Sequence, residues 1–297
     1  MPFEPSNDRW TTACDLCGSL VAKVVQLPIA GAARRCRSCG LVTLERNDNS
    51  NGVQRASVLR SVASIESAVR RAPSDGVKRA LLIGPANGSV FEALRRSEME
   101  VTVLTDPEAP TPPDVVVFTV RIEQAPFLPD QFDLIICTTA LEVLDSPATL
   151  FEKCRMWLAP GGLLIAGGAN WGSLGARMST RSWLARHTPL ARYLISLRTL
   201  RRYADRFGFN VRTVQTFARA GNINDASLGE ALIAGILFTP FRFVINMAGL
   251  GDEMYVELVK RGVAPITMPS RVEEERDPAP KLAPAMYRGA HRDVIAN

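Results

Sequence analysis

The chain has 297 residues, of which 46% are hydrophobic and 22% charged, with a formal net charge of +5 at pH 7. That is enough for one mid-sized domain plus a small accessory one, and the apolar fraction excludes disorder over most of the length. A spanning helix is disfavoured as well, because the one long apolar stretch, Ala231 to Leu250, is interrupted by Pro240, Arg242 and Asn246.

The first strong signal is a pair of hooks, Cys14-x-x-Cys17 and Cys36-x-x-Cys39, spaced as in four-thiolate zinc sites. Each hook points two sulfurs at one metal. Gly18 and Gly40 follow the hooks directly and let the backbone curl so that amides can face the thiolates. The pattern predicts a zinc ribbon over residues 1–50, with Cys14, Cys17, Cys36 and Cys39 as ligands and folding coupled to the metal. Two disulfides or a redox pair are the competing chemistries. No secretory signal precedes Cys14 and no strand-turn-helix pattern surrounds either hook, which favours zinc. Cys137 and Cys154 lie in apolar and helical runs and read as buried small hydrophobes.

A polar break, Asn47 to Gly52, follows the ribbon. Val58, Leu59, Val62, Ile65 and Val69 then recur at helical spacing, predicting a linker helix within 51–78 that closes at Pro73-Ser74-Asp75-Gly76. From Arg79 the pattern changes to short apolar runs between helical stretches: Ala80–Ile83, Val101–Leu104, Val115–Val120, Leu134–Cys137 and Leu163–Ala166. This alternation predicts an α/β domain over 79–262 with a parallel sheet and crossover helices. Leu200, Tyr203, Ala204 and Phe207 mark a further amphipathic helix ended by Gly208, before strands near Val211–Thr216 and Met254–Val259. Residues 263–297 are rich in proline and charge and read as a flexible tail.

Charge is unevenly spread. No Asp or Glu lies between Lys153 and Ala204, whereas Arg155, Arg177, Arg181, Arg186, Arg192, Arg198, Arg201 and Arg202 do. Such a segment suits an anionic neighbour: a phosphorylated or nucleotide-linked substrate, nucleic acid or a membrane surface. A solvated basic helix face is the plainer reading. Nucleic acid is the weakest of these, since stacking aromatics are not interleaved with the arginines. The 231–250 segment reads as a hydrophobic helix broken at Thr239-Pro240, packed on the domain, used in a protein contact, or laid in a bilayer interface through Phe238, Phe241 and Phe243.

The first strand of the α/β region runs into Gly84-Pro85-Ala86-Asn87-Gly88, a small-residue turn before a helix where backbone and free amides can meet a ligand. Then come Phe132-Asp133-Leu134, Ala140-Leu141-Glu142-Val143 and Leu158-Ala159-Pro160-Gly161-Gly162 in order. From about Arg79 to Arg261 the chain resembles the class I S-adenosylmethionine-dependent methyltransferases. With the Arg35–Val42 ribbon end, it is similar to a subgroup that includes sugar C-methyltransferases. The resemblance implies a Rossmann-like sheet and an S-adenosylmethionine site on Gly84, Ala86, Asn87 and Gly88. It also implies a ribose-side residue at Thr105 or Asp106, an adenine-side residue near Glu123, and a loop at Thr138.

Departures accompany the matches. The family's acidic residue before the loop is Leu82, its middle glycine is Ala86, Pro85 removes an amide donor, and its histidine after Leu-Glu is Val143. His187 is the nearest histidine to the position of a second one. No catalytic residue is assigned, and Glu142 and Asp133 are expected to serve packing and hydrogen bonding. The expected function is methyl transfer in the cytoplasm, or at a membrane periphery, to a small anionic sugar- or phosphate-bearing substrate. The alternative is a non-catalytic binding or scaffold protein on the same fold with a degenerate cofactor loop.

Overall fold

β1 (Ala22–Leu27) and β2 (Gly31–Cys36) form an antiparallel hairpin whose turn takes Ile29 and Gly31 into the left-handed region, at φ 59° and 72°. The computed structural model describes residues 12–44, 78–84, 88–97, 99–105, 115–137, 141–187, 191–217 and 244–262. All fall within one compact unit, Met1–Gly262. β3 (Val42–Leu44) pairs with β2, and its other edge is taken by β9 (Tyr193–Leu194), a strand from much later in the chain. The small sheet therefore has the order β1-β2-β3-β9.

The large sheet has seven strands in the order β10-β11-β8-β7-β4-β5-β6. β4 (Arg79–Ile83), β5 (Glu100–Leu104), β6 (Val116–Phe118), β7 (Phe132–Cys137) and β8 (Leu158–Ala169) run parallel. β11 (Glu253–Lys260) is antiparallel to both its neighbours, β8 and β10 (Phe209–Phe217). This Rossmann-like mixed sheet is the arrangement that the resemblance implies.

Side chains alternate across the sheet, as the two-residue strand period requires. Leu81, Ile83, Ile135, Leu164 and Val256 face α2 (Pro147–Trp157) and α5 (Leu197–Arg206), joining Phe151, Trp157, Leu200 and Tyr203. Ala80, Leu82, Val103, Ile136 and Ile165 join Phe91 and Leu94 of α1 (Gly88–Arg95) on the other side. Phe127 meets Phe118, Phe132 and Trp157 edge-on at 5.0 to 5.1 Å, an arrangement that suits ring quadrupoles. From the N-terminal cysteine segment, Cys14, Leu16, Cys36, Cys39 and Leu41 belong to the α2/α5-side core.

α5 begins with a capping box between Ser196 and Thr199, and Gly208 after it takes φ 72°, a helix stop that any Cβ would strain. β8 departs from expectation. Pro160-Gly161-Gly162 was expected to precede the strand; instead the strand starts at Leu158 and carries these residues as an irregularity. The partner of β7 jumps from Leu158, opposite Phe132, to Leu163, opposite Leu134, and Gly161 takes φ 74°. β6 is shorter than the apolar run Val115–Val120 that predicts it. The linker helix expected within 51–78 lies outside the described residues apart from Lys78, and so do the broken helix up to residue 243 and the tail 263–297.

Candidate metal centre and strand-end site

The two hooks converge. Cys14 Sγ lies 3.5 Å from Cys39 Sγ, Cys17 Sγ lies 3.5 Å from Cys36 Sγ, and all four sulfurs fall within 4.8 Å of one another. The six cysteines are free thiols. A tetrahedron with zinc–sulfur bonds of about 2.3 Å has edges of about 3.8 Å, so the donor set fits a zinc ion. The local electrostatics point the same way. Burial opposes ionisation at Cys36, yet the amides of Cys39 and Ser38 and the neighbouring thiols bring it down to about 6. Burial drives Cys14 up to about 11 and holds Cys39 well above the ordinary thiol range. Four crowded thiols without a counter-charge cannot ionise together; a divalent cation removes the conflict.

The first hook is bolted to the large sheet by a residue that the cysteine pattern hides. Asp15 accepts hydrogen bonds from Ser146 Oγ at 2.5 Å, the Ala148 amide at 3.0 Å and the Tyr203 hydroxyl at 2.7 Å. Ser146 is the N-cap of α2, so the carboxylate inside the first cysteine hook sits at that helix's positive end. Arg206 donates to the Leu16 carbonyl and Arg202 to the Cys39 carbonyl, so α5 holds both hooks. The only sequence trace of this is an acid inside a CxxC; its partners lie more than a hundred residues away.

At the carboxyl edge of the large sheet, β4 is followed by Gly84, whose φ of 115° is open to glycine and whose amide donates to the Leu104 carbonyl at 2.8 Å. Thr105 follows β5, is buried, and its amide donates to the Phe118 carbonyl at 3.0 Å. Gly84 and Thr105 are thus brought together by the pairing of Ile83 with Leu104. Gly88 contributes the first backbone turn of α1. Glu123 is exposed in a short 3₁₀ turn, Ile122–Gln124, whose Glu123 carbonyl accepts from Lys153 Nζ at 3.2 Å. Ala86, Asn87, Asp106 and Thr138 lie outside the described residues. Leu82 is fully buried against α1 and presents nothing to this edge.

A buried polar network occupies the end of β8. Asn170, fully buried, donates to the Gly249 and Gly251 carbonyls at 3.1 and 2.9 Å and accepts from the Gly172 amide at 3.0 Å. Ser173 donates to Asp252 Oδ1 at 2.9 Å. Glu142 accepts from the Ala169 amide at 3.1 Å through Oε1, the structural use expected of it, but its buried Oε2 has no hydrogen-bond partner among the described residues. Burial, with a smaller push from Glu253, raises the Glu142 carboxyl to about 7. Asp133 likewise accepts from the Arg79 amide at 2.8 Å. Cys137 and Cys154 are fully buried, as expected of small hydrophobes.

A sequence profile described as a methyltransferase domain matches residues 58–214, just over half of the chain. The chain belongs to this methyltransferase family. Solved structures with a similar fold include a SAM-dependent methyltransferase from Archaeoglobus fulgidus, at 16% identity and TM-score 0.47 over 67% of this chain and 95% of that one. Another is an S-adenosylmethionine-dependent methyltransferase from Mesorhizobium loti, at 15% identity and TM-score 0.43 over 67% and 100%. No curated protein matches in sequence. The profile begins after the hooks, so the four-thiolate cluster is an addition to the methyltransferase domain. The domain's own strand ends carry Gly84 and Thr105.

Proposed function

We propose that this methyltransferase moves the methyl group of S-adenosylmethionine to a small anionic acceptor that carries a sugar or phosphate. The acceptor's nucleophile would take the sulfonium methyl, the carbon–sulfur electron pair would stay on sulfur as S-adenosylhomocysteine, and the acceptor would lose a proton. The observation that carries the reading is Gly84, at φ 115°, brought beside Thr105 at the carboxyl edge of the sheet, where a nucleoside-type ligand can approach backbone. Gly84, Ala86, Asn87, Gly88, Thr105, Asp106, Glu123 and Thr138 would hold the cofactor. Alignment of donor carbon and nucleophile would supply most of the rate. Cys14, Cys17, Cys36 and Cys39 would hold a structural zinc ion, which fixes the ribbon's fold.

Among the described residues no helix is long and apolar enough to cross a membrane. Val244 and Met247, within the 231–250 segment, are well exposed, which supports its use as a contact for a protein or a membrane surface. The cytoplasm is the proposed location. The burial of Leu82, where the family has an acid, favours a second reading: a binding protein that keeps the fold without turnover.

Calorimetric titration of the zinc-loaded chain with S-adenosylmethionine and S-adenosylhomocysteine separates the two. The expected result is a dissociation constant on the order of micromolar, lost in Gly88→Asp. No binding by folded, metal-loaded protein would leave the second reading standing.

A further inference from the structure

Beyond Asn170, at the carboxyl edge of the large sheet, lies a cavity of about 790 Å³. Its walls come from the β1–β2 hairpin, the Asn170–Gly172 turn, α3 (Leu174–Met178), α4 (Thr180–His187) and the first turn of α5. Three guanidinium groups line it: Arg35 from the ribbon, Arg177 from α3 and Arg198 from α5; no acidic residue does among the described residues. A second recess of about 530 Å³ shares Arg35 and Arg198 and adds Lys23, Arg37 and Arg202, again without an acid.

What makes this cluster informative is that its arginines share one concavity, while several arginines elsewhere are engaged by oxygens of the protein. Arg34, Arg155, Arg192, Arg202, Arg206 and Arg261 all donate to carbonyl or carboxylate oxygens. Arg35, Arg177 and Arg198 have no side-chain partner among the described residues. Like charges gathered on one concavity repel each other until an anion enters, and a concave wall concentrates their field. α5 opens at the same cavity with no acid in its first turn, so its dipole adds to the field. Half-buried Trp171, tilted against Trp183 at 5.4 Å, and Leu197 give the cavity an apolar wall.

We propose that this cavity is the seat of a phosphate group on a small molecule, clasped by Arg35, Arg177 and Arg198 and backed by Trp171. The ribbon then supplies part of the ligand site, and the metal cluster holds Arg35 in place from the adjoining Cys36. Calling the ligand the methyl acceptor rests on the methyltransferase reading; the anion site itself does not. Planar guanidinium forks suit phosphate oxygens, and a site walled by the ribbon hairpin, the end of β8 and three helices selects for a compact ligand.

Inorganic diphosphate titrated calorimetrically into the zinc-loaded full chain at physiological salt tests the proposal. Binding weakened about tenfold or more in Arg35→Glu and in Arg177→Glu, but unchanged in Arg212→Glu on β10, is the expected result. Near-UV circular dichroism and zinc content confirm that each variant is folded. Equal binding by all four proteins, or none by the wild type, overturns the proposal. So does binding of phosphatidylglycerol vesicles without binding of diphosphate, which would assign the arginines to a lipid surface. Cofactor titration alongside keeps the two readings apart. Diphosphate bound without S-adenosylmethionine leaves this site standing and removes the methyltransferase activity; the reverse removes this site alone.

Discussion

Replacing Asp15 by alanine takes away the carboxylate shared by Ser146 Oγ, the Ala148 amide and the Tyr203 hydroxyl, and leaves four cysteines untouched. A hydrogen bond to a charged acceptor contributes about 1.5–3 kcal/mol, and a carboxylate at a helix N-terminus adds about 0.3–1 kcal/mol. The three bonds share one acceptor and will not add in full. Tyr203 is wholly buried, so losing its acceptor strands a polar group, which brings the expected cost to about 3–4 kcal/mol. Burial and the Asp15 carboxylate both hold the Tyr203 phenol neutral, well above the ordinary tyrosine range, so pH should not alter the cost near neutrality. In urea the unfolding midpoint of the zinc-saturated chain should fall by about 1 M, taking a denaturant slope near 3 kcal/mol/M. Tyr203→Phe alone should cost about 1 kcal/mol, and the double variant should recover a coupling of at least about 1 kcal/mol. A shift below about 0.5 kcal/mol in Asp15→Ala at full zinc occupancy would refute the idea that this carboxylate joins the cysteine hooks to the large sheet.

The purified chain should carry a single zinc ion by plasma mass spectrometry, and Cys36→Ser should lose it and lower the thermal midpoint; equal midpoints with and without metal would deny the ribbon a structural role. Glu142 has a folded-state pKa raised to about 7, so its favourable contribution is complete below its unfolded value near 4.5 and is lost as pH rises through 7. Wild-type stability should therefore fall by about 3 kcal/mol across that window relative to Glu142→Gln, measured by urea unfolding at pH 4.5 and 8. Parallel pH profiles would contradict this. A Cβ on Gly168 would lie 2.2 Å from Glu142 Oε2, so Gly168→Ala should cost about 2 kcal/mol, and less in a Glu142→Ala background, read as a non-additive cycle in the same assay.

The parts of this fold that were legible in the sequence are those whose physics is local. Ala80–Ile83, Leu134–Cys137 and Met254–Val259 announce themselves as apolar runs because both faces of the central strands are covered. The cysteine cluster is legible because hook geometry is set within four residues. β8 is read too short because Pro160, Gly161 and Gly162 punctuate it, although pairing to β7 carries the chain through them. β9 escapes notice altogether. Tyr193–Leu194 is two residues long and exists only because β3 offers an edge. Asp15 and the convergence of Arg35 with Arg177 and Arg198 escape for the same reason: tertiary neighbours far apart in the chain define them. The raised carboxyl of Glu142 depends on depth and on Glu253, neither of which a linear pattern encodes.

β9 also sets the order in which the molecule can be made. The two cysteine hooks leave the ribosome before the strand that covers the edge of β3, which is not synthesised until residue 194, and α5, which grips both hooks, comes later still. Until then the nascent chain presents an unpaired edge, a template for the same edge on a neighbouring chain.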